Sequence, residues 1–143
     1  MDFISYHSNW ALAVLALLVI AIANSLIGLI SKKSYSTVDK KIFLYAVIGA
    51  HIQFLLGIVT YMMSPKTQAA MSDFGAAMNN SDLRLYAVEH PLMLLIGIIV
   101  ITLGFSKAKR AASDTSKFKT IFIYYLIGTI LIASRIPWSQ WGH

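Results

Sequence analysis

The chain has 143 residues, 57% of them hydrophobic and 13% charged, with a formal net charge of +6 and no cysteine. Water-soluble domains carry about a quarter charged residues, so a soluble globular domain is a poor fit. The lack of thiols excludes disulfides, thiolate metal sites, iron–sulfur clusters and covalent c-type haem attachment. The basic residues sit at the ends of four long uncharged runs, which reads as membrane topology and head-group contact and not as a nucleic-acid surface.

Residues 1–9 form a short polar lead that holds Asp2 and neither lysine nor arginine. The first apolar run is Trp10 to Ile30. A secretory signal wants a basic start and a shorter apolar core, and this run continues past the nearest small-residue cleavage pattern, Ala21-Ile22-Ala23. An uncleaved transmembrane helix is therefore expected over 10–30. A loop follows with Lys32, Lys33, Lys40 and Lys41, and Ser36, Thr37 and Asp39 supply helix-start chemistry. The second span is expected over 42–63, ended by Ser64-Pro65, because Pro65 cannot continue the hydrogen-bond ladder.

Residues 66–88 form the longest connection. Ala69 to Met78 is small and mildly amphipathic and predicts one short interfacial helix, and Ser81 to Val88 predicts the first turns of the next span. The third span is expected over 88–105, where His90 opens the apolar run to Phe105. A second basic loop carries Lys107, Lys109, Arg110, Lys117 and Lys119. The fourth span is expected over 120–136, ended by Pro137, with Trp138 and Trp141 as interfacial anchors. No internal repeat or second domain is evident, so residues 1–143 read as a single transmembrane domain.

About 20 apolar residues cross a bilayer core. The fold class expected is all-α, an integral membrane four-helix bundle connected up-down-up-down. The loops after spans one and three carry nine of the twelve basic residues; Lys66, Arg84 and Arg135 are the others. The positive-inside rule then places both termini on the outer side and the basic loops in the cytoplasm.

His7 precedes the first run and His90 opens the third, and both of these spans run inward. The two histidines are thus expected at similar depth near the outer boundary, on diagonally opposed helices. Diagonal imidazoles at one depth can hold one haem iron, each from its own face of the porphyrin. At about 100° per residue, His7 shares a face with Ala11, Val14, Leu18 and Ser25. His90 shares one with Leu94, Gly97, Ile101 and Gly104, where the glycines leave room beside an inserted ring. Arg84, Lys66 and Arg135 lie on the same side, where haem propionates want cations, and Arg84 would raise the haem potential. The plainer alternative makes both histidines boundary residues that cap helices or reach head groups. His143, the last residue, is discounted as a frayed end.

His51 stands about ten residues into span two, near the middle of the bilayer, roughly 10–15 Å deeper than His90 at 1.5 Å per residue. An ionisable group at that depth is a functional candidate by default. It suits a hydrogen bond across helices, a quinone or a deeper haem; a neutral, structurally bonded histidine is an equally good account. Gly49, Gln53, Gly57 and Thr60 form a small or polar stripe on nearly the opposite face. Two polar faces suggest that one meets the bundle and the other a second copy or another subunit. No phosphate loop, serine triad or paired intramembrane carboxylate is present, so hydrolase and ion-pump chemistry have no support.

The segment His51-Ile52-Gln53-Phe54-Leu55-Leu56-Gly57, running on to Thr60-Tyr61 and Ser64-Pro65, resembles a recurrent helix of haem A synthase. In that family, helices of this Gln-x-x-x-Gly type lie between two helices that each begin with a haem-ligating histidine on the outer side. The first three spans here follow that order. The whole chain also looks like small four-helix, cytochrome b-like membrane proteins. The resemblance implies haem ligation at His7 and His90. It does not imply the oxygenase chemistry: this chain has one bundle and not two, lacks the outer-loop cysteine pair, and places Glu89 immediately before His90.

The function expected is a b-type cytochrome of a bacterial inner membrane, an electron carrier more than a stand-alone enzyme, with His7 and His90 as axial ligands. Its cofactor set is haem b with His7, His90, His51, Arg84 and Gly97 around it. Quinol and a respiratory complex are the expected partners, and a homo-oligomer is an option. The alternative of another class is a haem-free accessory or assembly subunit; a transporter, with His51 as relay, ranks third.

Overall fold

The computed structural model describes residues 2–141, and His143 lies outside them. Among the described residues the chain is helical, without strands. Four long helices, α1 (Phe3–Ser31), α2 (Thr37–Met63), α5 (Ser81–Arg110) and α6 (Asp114–Ala133), are each long and apolar enough to cross a membrane. Two short helices, α3 (Pro65–Ser72) and α4 (Phe74–Met78), lie between α2 and α5, and a single 3-10 turn, Trp138–Gln140, follows α6. The long helices pack in a ring. α1 lies against α2 and α6, α5 packs most closely on α6, and α2 and α5 close the ring more loosely. This leaves α1 and α5 as diagonal partners. Leu12, Val19, Ile30, Leu55, Met62, Leu92, Ile99 and Ile130 are exposed on the outside, the coat a bilayer requires. The protein is an integral membrane four-helix bundle.

The helices outrun the apolar runs that announced them. Asp2 accepts the Ser5 N–H at 2.9 Å and starts α1 at Phe3. Ser36 and Asp39 cap each other's backbone and start α2 at Thr37, and Ser113 accepts from the Ser116 N–H and starts α6 at Asp114. Apolar runs mark what lies in hydrocarbon, whereas capping side chains fix where the helix begins. The expected spans over 10–30, 42–63 and 88–105 are the cores of these longer helices. The fourth was set several residues too far along, since α6 ends at Ala133. His7 consequently stands inside α1, not ahead of it, and His90 lies well inside α5. The connection also differs from the single interfacial helix expected over 69–78. Pro65, which ends α2, opens α3 at a position where its missing N–H costs nothing. Asp73 then breaks the path and caps α4 through the Ala76 N–H at 3.1 Å.

The end bearing the basic loops is densely packed. Tyr125 is fully buried and donates its hydroxyl to the Phe43 carbonyl at 2.7 Å. The rings of Tyr35, Phe43, Phe118 and Tyr125 form edge-on and tilted contacts between 5.3 and 6.4 Å. Asp39, 2% exposed, accepts from Lys33 at 2.8 Å, from Asn24 at 2.9 Å, and from the Ser36 N–H and hydroxyl at 2.8 Å each. Lys117 reaches across to the Ala108 carbonyl at 3.1 Å. At the far end the contacts are polar. Lys66 pairs with Asp82 at 2.8 Å, Gln140 donates to Asp82 at 2.8 Å, and Tyr86 donates to Gln140 at 2.9 Å.

Candidate functional site

Beneath that polar roof the far half of the bundle is hollow. A cavity of about 740 Å³ opens between α1, α2 and α5, with His7, His90, Gln53, Gly57, Leu94 and Ile98 among its lining residues. The volume lies in the range of cofactor pockets, and the lining is mostly apolar with a few placed polar groups, as such pockets require.

His7 on α1 and His90 on α5 face one another across the bundle. Their ring centres are 6.2 Å apart and their planes cross at 85°. Two imidazoles bonded to one metal ion at about 2.0–2.1 Å each would have ring centres roughly 6 Å apart. The separation is compatible with two imidazoles on one iron, and the cavity they line has the size of a cofactor pocket.

The surroundings of each imidazole matter as much as the spacing. His90 Nδ1 lies 2.9 Å from the Arg135 carbonyl oxygen. A carbonyl can only accept, so Nδ1 carries the proton and Nε2 keeps its lone pair for a ligand. At His7 the arrangement differs. The Gln53 amide nitrogen donates to the His7 carbonyl at 3.1 Å and lies 3.1 Å from Nδ1 and 3.3 Å from Nε2. Gln53 is 6% exposed, and its Oε1 is buried without a partner. The His7 backbone carbonyl fixes the amide with its nitrogen toward the ring, so Gln53 meets His7 as a donor and Oε1 is left unpaired. Gly57 lies one helical turn beyond Gln53; a Cβ there would stand 3.2 Å from His7 Cε1. Glycine makes the space the ring occupies.

His90 is presented by an irregularity. α5 starts as an α-helix over Ser81–Arg84, widens to a π turn over Leu85–Glu89, and resumes at His90. Pro91 has no N–H to return to the carbonyl four residues back, that of Ala87. Tyr61 on α2 donates its hydroxyl to that carbonyl at 2.9 Å. Single π turns of this kind cluster at functional positions in helices.

Other candidates fall elsewhere. Gly97 faces away from the cavity; an added Cβ there would meet Gly128 O at 2.8 Å and Ile132 Cγ1 at 2.6 Å. Its small size lets α5 and α6 approach, and it leaves no room for a cofactor. Arg84 is tied to Glu89 at 2.9 Å and to the Met78 carbonyl at 2.7 Å, and Arg135 pairs with the same carboxylate at 3.6 Å. With Lys66 on Asp82, each of the three cations expected to await propionates already has a carboxylate within reach, and none lines the cavity. The stripe on α2 meets α1: Trp10 donates to Gly49 O at 3.0 Å, Gln53 and Gly57 meet His7, and Thr60 approaches Phe3 O at 3.4 Å. The opposite face turns His51 to Thr102 of α5, with Nε2 and Oγ1 2.9 Å apart. Each polar face of α2 thus makes a contact within the chain, though His51 stays exposed. Sequence reading placed Gln53 in the stripe but missed its partner. The clue was present, because a glutamine deep in an apolar helix needs a hydrogen-bond partner.

Comparison of the chain with known protein families, curated proteins and solved structures finds no match.

Proposed function

We propose that this protein is a small membrane b-type cytochrome that binds one haem between His7 and His90, as its resemblance to one half of haem A synthase implies. The observation that carries the reading is the facing pair of imidazoles, 6.2 Å between centres, at the wall of the 740 Å³ cavity. When bound, haem supplies a one-electron carrier. The chain's own residues do the rest. The Arg135 carbonyl holds the proton of His90 on Nδ1, Gln53 fixes the position of the His7 ring, and the apolar lining excludes water. The polar roof ties the segment after α6 to the long connection. The proposed setting is a bacterial inner membrane, with an electron-transport partner and no further chemistry on the chain itself.

The test is a dithionite-reduced minus oxidised visible spectrum of the purified protein with a pyridine haemochrome assay. A b-type α-band is expected, and His7→Ala and His90→Ala should each abolish the low-spin bis-imidazole signature. An unchanged spectrum in either variant sinks the pairing. A second reading has one observation in its favour: both imidazoles already have protein partners, Gln53 and the Arg135 carbonyl. It makes the chain a haem-free accessory subunit of a larger membrane complex. A protein expressed with ample haem and purified without it would put that reading first.

A further inference from the structure

His51 is the feature that the haem reading leaves unused. It stands at mid-helix in α2, in a shallow groove between α2 and α5 that Phe54, Leu95, Ile98, Ile99, Thr102 and Leu103 complete. Among these only His51 and Thr102 are polar. Thr102 donates its single hydroxyl hydrogen to the Ile98 carbonyl at 2.7 Å. Its oxygen must therefore accept from His51 Nε2–H, 2.9 Å away. The tautomer follows: Nδ1 of His51 carries the lone pair. The side chain is exposed, so this acceptor stands at the edge of the groove at hydrocarbon depth.

What can use it is restricted by chemistry. A ligand that reaches mid-membrane is lipid-soluble. A ligand that uses Nδ1 carries an O–H or N–H donor. The remaining walls, Phe54 and four aliphatic side chains, call for an apolar body. The groove also shares Phe54, Leu95 and Ile98 with the large cavity, so its occupant is separated from the cavity by one layer of side chains. We infer that the His51–Thr102 groove is a binding site for a lipid-soluble quinol, with His51 Nδ1 accepting one ring hydroxyl and Thr102 holding the imidazole in the tautomer that does so. The site's position beside the cavity gains its meaning from the haem reading, but binding itself does not require haem.

The experiment titrates the fluorescent quinol analogue 2-heptyl-4-hydroxyquinoline N-oxide into the protein in lipid nanodiscs, before and after haem loading. Saturable quenching is expected. His51→Leu should weaken it by about tenfold, the effect of losing one hydrogen bond worth roughly 1.4 kcal/mol, with helicity checked by circular dichroism. The O-methylated probe, which has no hydroxyl to give, should bind the unaltered protein as weakly. Equal affinity for the two probes overturns the proposal, as does equal quenching in a folded His51→Leu variant; because the probe comparison needs no substitution, it decides even if the variant fails to fold. Hydroxyl-dependent quenching in a protein that takes up no haem would uphold this site while refuting the cytochrome reading; haem uptake without such quenching would do the reverse.

Discussion

At the scale of the residue, the site turns on which imidazole nitrogen holds a proton. His90 is set by a backbone carbonyl, which has no alternative role. His7 is set by Gln53, a side chain with a donor end and an acceptor end. A stronger acceptor on Nδ1–H makes the opposite nitrogen more basic and favours ferric iron. Redox titration of the loaded protein should therefore separate Gln53→Glu from the unaltered protein. Gln53→Glu, which puts a carboxylate acceptor where the amide donor stands, should have a lower midpoint than the unaltered protein, with both retaining a low-spin spectrum. Identical midpoints would show that Gln53 only fills space. Neither the Gln53 contact nor the direction of Gly97 was legible beforehand. A helical wheel gives the face of a residue but not which neighbour occupies it. His7 and His90 were legible because matched depth needs only counting along two spans of the same direction.

At the scale of the element, α5 matters most, because the π turn lies directly before His90 and Pro91 directly after it. The sequence shows Pro91 but not its remedy, which comes from Tyr61 on another helix. Tyr61→Phe leaves the Ala87 carbonyl without its hydroxyl partner and should cost about 1–2 kcal/mol of stability. Pro91→Ala restores an N–H to the helix and should relieve much of that cost, so thermal melts of the two single variants and the double should depart from additivity. Additive losses would mean that Tyr61 acts through packing alone. Helix ends were misplaced by up to seven residues at the start of α1 (Phe3 against Trp10) for a related reason. Apolar runs report depth in the bilayer, and caps such as Asp2 and Ser113 act outside it.

At the scale of the whole molecule, structure and site are divided between the two ends. The aromatic cluster and the Asp39 network fill the basic end, and the cavity occupies the far end. The division assigns stability to one half and, on the proposed reading, the haem to the other. Tyr125→Phe unpairs the buried Phe43 carbonyl and should lower stability by about 1–3 kcal/mol. Thermal melts should show that loss equally with and without haem, while the visible spectrum stays as it was; a shifted spectrum would mean the two halves are coupled. The four-helix architecture itself was legible, since hydropathy and charge placement accumulate over about 20 residues per span. The partition between a solid half and a hollow half was not, because it depends on how facing side chains interlock.

The loosest seam of the ring, between α2 and α5, is crossed by two side-chain hydrogen bonds, Tyr61 to Ala87 and His51 to Thr102. On the haem reading, that seam is where a flat, apolar molecule would enter the hollow half from the lipid. The bilayer would then serve as the store from which the protein is supplied.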